Sequence, residues 1–130
     1  DAVGDFEFSK KQLELLKDKV DIYSGNDNQT YDFVINGGVG VVSVASHVVG
    51  DEISEMISFA KDNDLEKAEE INMQLSNLFE AIFEEPSPGP IKKILSESWE
   101  EVGEPLLPIT SITPELANKI RGFYKKIKEN

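Results

Sequence analysis

Gly37-Gly38-Val39-Gly40-Val41-Val42-Ser43-Val44 is the stretch that decides the fold class. From Gly40 to Val44 the run is nearly continuous in apolar, mostly β-branched residues, the mark of a strand buried on both faces by flanking helices. Just upstream, Asn36-Gly37-Gly38 is a helix stop, because glycine accepts the left-handed conformation that commonly closes a helix. The helix it closes opens at Asn26 or Asp27 and carries Tyr31, Val34 and Ile35. Before it, Val20-Asp21-Ile22-Tyr23-Ser24-Gly25 is a short β-rich run stopped by polar turn residues, which predicts another strand. Phe6 and Phe8 lead into a first helix, capped by Ser9 and running through Leu13 and Leu16 to about Asp18. Helix, strand, helix, strand in this order is α/β alternation of the parallel kind.

Beyond Gly50 only helices are predicted. Ile53, Met56, Ile57 and Ala60 fall at i, i+3, i+4 and i+7 on a helix opened by Asp51. Asp62-Asn63-Asp64 is a turn, after which Leu65, Ala68, Ile71, Leu75, Leu78, Phe79, Ile82 and Phe83 mark one stripe of a long helix. Pro86-Ser87-Pro88-Gly89-Pro90 is a rigid connector, with Pro90 in the first turn of a helix reaching about Trp99. Thr113-Pro114-Glu115 starts the last helix, whose stripe is Leu116, Ile120, Phe123, Tyr124 and Ile127.

The 130 residues hold 13 Lys plus Arg against 25 Asp plus Glu, a net charge of −12. Nucleic acid and anionic membrane surfaces require a basic face, so neither is expected as a partner. No apolar run approaches the roughly 20 residues that span a bilayer, and no secretory leader is legible, so a cytoplasmic location is expected. The absence of cysteine removes disulfides, thiolate nucleophiles and cysteine-ligated metals. Asp62-Asn63-Asp64 lacks the Gly and Glu that complete a calcium loop. Asp51, Glu52 and Glu55 suit the first turn of a helix better than a metal. Gly37-Gly38-Val39-Gly40 precedes a strand and lacks the Gly-Lys-Ser/Thr end of a phosphate loop. His47, the single histidine, has no second partner legible beside it.

Two parallel strands do not make a stable sheet alone, so the chain reads as the second half of something larger. Tyr23-Ser24-Gly25-Asn26-Asp27, Gly37-Gly38-Val39-Gly40-Val41-Val42-Ser43-Val44, Glu85-Pro86-Ser87-Pro88-Gly89-Pro90-Ile91-Lys92 and Leu107-Pro108-Ile109-Thr110 together resemble the C-terminal half of the dihydrodipicolinate synthase and N-acetylneuraminate lyase family of pyruvate-dependent class I aldolases. The resemblance implies an α/β fold: the last two strands of a (β/α)8 barrel over residues 1–63, and a C-terminal helical domain over 64–130. It implies a lyase that condenses pyruvate, held as a lysine imine, with aspartate semialdehyde to 4-hydroxy-tetrahydrodipicolinate on the route to diaminopimelate and lysine. No metal or organic cofactor is implied. The implied partners are these two small molecules, the N-terminal half of the same barrel, and further copies in a homotetramer built as a dimer of dimers.

Asp1-Ala2-Val3-Gly4-Asp5 is similar to the segment directly after the family's catalytic lysine, so that lysine is expected immediately before Asp1, and no catalytic residue is expected in this chain. The expectation covers a chain interrupted at that lysine, by cleavage or by modification. Lys10, Lys11, Lys17, Lys19, Lys61, Lys67, Lys119, Lys125, Lys126 and Lys128 read as helix-face or turn residues, and Lys92 and Lys93 follow no strand. By resemblance, Gly25 lets the backbone approach substrate and the main chain at Val42 lies against pyruvate. Asn26 lines the second-substrate pocket or, with Asp27, caps a helix, and the residue types favour capping. Ser87, Gly89 and His47 depart from the family's usual residues. Phe6 and Phe8 belong to the core or face another subunit. The nearest alternative is another pyruvate aldolase of the family, an N-acetylneuraminate lyase or a keto-sugar-acid aldolase. From a different class, the rival is a noncatalytic acidic helical module.

Overall fold

The computed structural model describes residues 1–16 and 19–129. Helix α1 spans Phe6–Leu16, strand β1 Tyr23–Ser24, helix α2 Thr30–Ile35 behind a 3₁₀ turn at Asp27–Gln29, and strand β2 Gly40–Val41. Four helices follow: α3 (Ser46–Lys61), α4 (Leu65–Ala81), α5 (Gly89–Ser98) and α6 (Pro114–Lys128). The chain divides into two compact units, Asp1–Val44 with Asp51–Met73, and Ala45–Gly50 with Gln74–Asn130. The division after Gly50 falls beside an interruption in α3, where Val49 leaves helical geometry at φ −131° and ψ 38°.

The expected barrel architecture is corrected here. Among the described residues there are two strands, each two residues long, paired in parallel with Tyr23 opposite Gly40 and Ser24 opposite Val41. They lie in the first third of the chain and form an open sheet, whereas a closed barrel needs a full ring of tilted, staggered strands. The run Gly40 to Val44 is not one buried strand either. Val42 is 73% exposed, and the chain beyond it is drawn off the ladder when Val44 N–H donates to the Asp27 carboxylate at 3.1 Å.

In the first unit, α2 ends as its glycines require. Gly37, at φ 104°, donates to Val34 O at 3.0 Å and Gly38 donates to Phe33 O at 2.9 Å, the paired bonds of a Schellman motif. Helix α1 starts earlier than its serine suggests. Asp5 rather than Ser9 serves its N-terminus, with Phe8 N–H donating to Asp5 Oδ1 at 3.2 Å, and Ser9 is buried within the first turns. The helix end expected near Asp18 and the placement of Lys17 lie outside the described residues. Phe6 is half-buried and Phe8 exposed. The core cluster joins Val34, Met56, Ala60 and Ala68, with Tyr31, Ile57, Phe59 and Ile71 packed against it, so these members of the α3 and α4 stripes face inward as their periodicity predicts, while Leu65 and Phe83, counted in the second stripe, are exposed. Asp62–Asp64 is a turn, with Asn63 at φ 61°.

In the second unit Leu75, Leu78, Phe79, Ile82, Ile91, Ile94, Leu116 and Ile120 are buried. Thr113 caps α6, its Oγ1 accepting from Leu116 N–H at 3.3 Å. The same hydroxyl donates to Glu85 Oε1 at 2.5 Å, and Thr113 N–H donates to that carboxylate at 3.2 Å. Between α5 and α6 the Arg121 guanidinium grips Glu97 with two bonds of 2.7 Å, and Lys93 approaches to 3.3 Å. Arg121, and then Lys93, hold the Glu97 carboxyl below the usual carboxylate range against the opposing effect of burial.

A lowered folded pKa means that Glu97 contributes its full stability above the ordinary glutamate value, about 4.3. The contribution is lost as pH falls through the lowered folded value. Because Arg121 is half exposed, solvent screens the pair and Arg121→Ala is expected to destabilise only slightly at neutral pH. Melting curves at pH 7 and pH 3 check this: the gap between parent and variant should close in acid, and a gap independent of pH would contradict the assignment.

Candidate functional site

Three short segments of the first unit meet at the C-terminal end of its sheet. Parallel strands deliver their ends to one side, and alternation along each strand separates two faces. Ser24 is buried on one face, and Tyr23 is exposed on the other. The Tyr23 ring lies on the empty side of Gly40, where an added Cβ would sit 3.4 Å from Cδ1 and Cε1.

The N-terminal residue joins this sheet. The Asp1 amino nitrogen donates to Tyr23 O at 2.8 Å, and Gly25 N–H donates to Asp1 O at 2.5 Å. These two bonds set Asp1 beside Ser24 in parallel register, so Asp1, Ser24 and Val41 form one row across the sheet. The next row is Ala2, Gly25 and Val42, with Val42 N–H donating to Ser24 O at 2.8 Å. A side chain at Gly25 has no room. Its Cβ would stand 2.7 Å from Ala2 Cβ and 3.0 Å from Asp1 O. Gly25→Ala is therefore expected to cost about 1–3 kcal/mol by prising Ala2 off the row. Urea unfolding checks it, and a loss below about 0.5 kcal/mol would mean that the N-terminal segment yields freely.

On the open face these rows border a hollow of about 530 Å³, lined by Asp1, Ala2, Tyr23, Gly25 and Val42 with Asp21, Ile22 and Ser24 behind them. Of the three residues singled out from the sequence, Gly25 and Val42 line it together and Asn26 does not. Asn26 is half-buried, and its side chain makes no cap bond with the 3₁₀ turn that follows. Its amide instead reaches Gln29 Oε1 at 3.5 Å, and Gln29 Nε2 donates to Gly4 O at 2.8 Å. The cap bond expected of Asn26 is thus replaced by a bond within the turn, whereas Asp27 reaches a distant segment.

Asp27 is the clearest case. It is 2% exposed, and its carboxylate accepts from the Ser43 hydroxyl and from Val44 N–H, tying the start of α2 to the segment after β2. Sequence reasoning missed this because nothing local distinguishes a capping aspartate from one bonded sixteen residues away. It also missed Ser9, whose buried hydroxyl reaches Asp1 Oδ2 at 2.7 Å.

Among the described residues no lysine lines the hollow. Lys92 and Lys93 lie on α5, as expected from their following no strand, and Lys92 Nζ donates to Glu104 O at 3.0 Å. His47 is exposed in the first turn of α3. No group of three or more acidic or histidine side chains among the described residues is arranged to hold a metal ion. No helix among them is long and apolar enough to cross a membrane.

The sequence model of the Dihydrodipicolinate synthetase family matches residues 1–127. The 4-hydroxy-tetrahydrodipicolinate synthase of Listeria monocytogenes serotype 4a (strain HCC23) is 32% identical over 129 residues, covering 99% of this chain and 44% of that protein. The enzyme of the same name from Thermosynechococcus vestitus is 45% identical over 100 residues, 77% of this chain and 34% of that protein. The crystal structure of dihydrodipicolinate synthase from Thermotoga maritima superposes with a TM-score of 0.93 at 27% identity, covering 98% of this chain and 44% of that one. The chain thus spans less than half the length of the curated relatives it matches.

Proposed function

The chain belongs to the dihydrodipicolinate synthetase family, and from that membership we propose that it serves a lyase that holds pyruvate as a lysine imine and condenses it with aspartate semialdehyde to 4-hydroxy-tetrahydrodipicolinate. The imine-forming lysine would be the residue immediately before Asp1. The observation that carries this reading is the row geometry beside the hollow. Asp1 turns its carboxylate toward Ser9 of α1, and alternation along an extended chain turns the preceding residue to the opposite face. That face is the one on which Tyr23, Gly25 and Val42 border the hollow.

In the proposed reaction the lysine amine, kept neutral by weakly polar surroundings, adds to the ketone carbon of pyruvate. Water leaves as the imine forms. Loss of a methyl proton gives an enamine, whose carbon attacks the aldehyde, and the resulting alkoxide takes up a proton to become a hydroxyl. The amine of the second substrate then displaces the lysine and closes the ring. Gly25, without a Cβ, would admit the substrate to the backbone, and the main chain at Val42 would lie against pyruvate. Asn26 stands outside the lining of the hollow, its amide taken up by Gln29. Assembly as a homotetramer belongs to the same proposal.

The test is the intact mass of the source protein after incubation with pyruvate and borohydride. A gain of one reduced pyruvate, mapped to the residue before Asp1, is the expected result. A folded protein whose mass does not move would refute the proposal. Product formation from aspartate semialdehyde, against cleavage of a sialic acid, then separates the synthase from its family rivals.

A further inference from the structure

Asp1 is held by its side chain as well as its backbone. Its Oδ2 receives the Ser9 hydroxyl at 2.7 Å, while its Oδ1 accepts from Val3 N–H at 2.9 Å. Ser9 is 1% exposed. A serine inside a helix commonly returns its hydroxyl to the carbonyl four residues back, and Ser9 Oγ does lie 3.1 Å from Asp5 O. The hydroxyl has one proton, however, and the shorter, charge-assisted contact with the carboxylate is the stronger claim on it. The neighbouring ties, Gln29 to Gly4 and Asp5 to Phe8, fix the path of the segment farther on. Of these bonds, the one from Ser9 joins the Asp1 side chain to α1, and so sets how the first row is rotated about its own axis.

We infer that Ser9 is a positioning residue: through the Asp1 carboxylate it fixes the direction in which the residue before Asp1 presents its side chain to the hollow. The catalytic part of this inference rests on the proposed imine-forming lysine. Two backbone bonds hold the Asp1 main chain beside Ser24, and a reacting amine displaced by about 1 Å loses on the order of 100-fold in rate. A hydroxyl anchored in a helix adds a third restraint, on the side chain. Alanine is the best helix former, so Ser9→Ala leaves α1 intact while deleting the bond.

The experiment uses the source protein at its full length, with Ser9→Ala, Asp1→Ala and the double variant. Asp1→Ala breaks the same bond from the partly exposed side, without touching the buried position. Both singles are expected to speed exchange of the Gly25 amide by about tenfold or more, with amides of α4 unchanged. Both should lower the maximal rate of pyruvate trapping by roughly 10- to 100-fold, with the half-saturating pyruvate concentration nearly constant, a split that general destabilisation does not produce. Since both act on one bond, the double variant should be no worse than either single. Unchanged Gly25 exchange in both singles, or trapping at the parent's rate, overturns the inference. If the parent itself traps no pyruvate, the imine reading fails on its own, and Ser9 as the anchor of Asp1 is decided by Gly25 exchange.

Discussion

An Asp27→Ala protein is expected to unfold about 3 kcal/mol more easily than the parent. The carboxylate it loses is 2% exposed and receives both the Ser43 hydroxyl and Val44 N–H. Deleting a buried acceptor forfeits its bonds and strands their donors, each at about 1–3 kcal/mol, with charged acceptors at the upper end. Asp27→Asn retains one oxygen and should cost less than the alanine variant, because a donor facing that oxygen keeps its partner. Urea titration followed by circular dichroism measures both. The ordering matters more than either size: an asparagine variant as damaged as the alanine one would mean that the bonds described contribute little and that charge alone stabilises the site. Since Ser43 and Val44 directly follow Val42, the alanine variant should also loosen the wall of the hollow.

Phe33→Ala should cost about 3–5 kcal/mol, the usual range for emptying the place of a buried aromatic ring. Phe33 is almost wholly enclosed, and part of its enclosure is the backbone of Gly38, where a Cβ would fall 2.2 Å from Phe33 Cδ1. Gly38→Ala is therefore destabilising as well, by about 1–3 kcal/mol of overpacking. Together the two changes should cost less than their sum, since the methyl of one enters space vacated by the ring of the other. Thermal melts of the parent, both singles and the double test this. Strict additivity would show that ring and glycine do not share the space assigned to them.

The features legible in the sequence are those whose physics is local. Thr113 caps α6 through a bond to Leu116, three residues away, and Asn36-Gly37-Gly38 closes α2 through bonds within five residues. The stripes of α3 and α4 are periodic, and the core takes up most of their members as the period predicts. Ser9 has a capping residue's chemistry, but Asp5 stands earlier and its carboxylate meets Phe8 N–H first. Val42 to Val44 has a strand's composition, yet pairing is decided by partners, and Asp27 draws Val44 away from the ladder. The run has the composition of a barrel strand buried on both faces, whereas an open sheet leaves Val42 exposed. Gly25 and Val42 are reached through family resemblance. The link from Asp1 to Ser9 is out of reach, because a hydrogen bond to the start of the chain leaves no periodic or compositional trace.

The bond network of Thr113 bears on how the second unit survives cutting. Glu85 and Thr113 are joined by both the hydroxyl and the backbone N–H of Thr113, which closes the intervening segment, α5 included, into a loop. Within it Leu106 and Leu107 are 86% and 85% exposed, large side chains offered to a protease on an irregular stretch. A protease with chymotrypsin-like preference should nick the chain there first. The Glu85–Thr113 junction and the Glu97–Arg121 pair each join residues on opposite sides of that nick, so the two fragments should leave a gel-filtration column together and part only in denaturant.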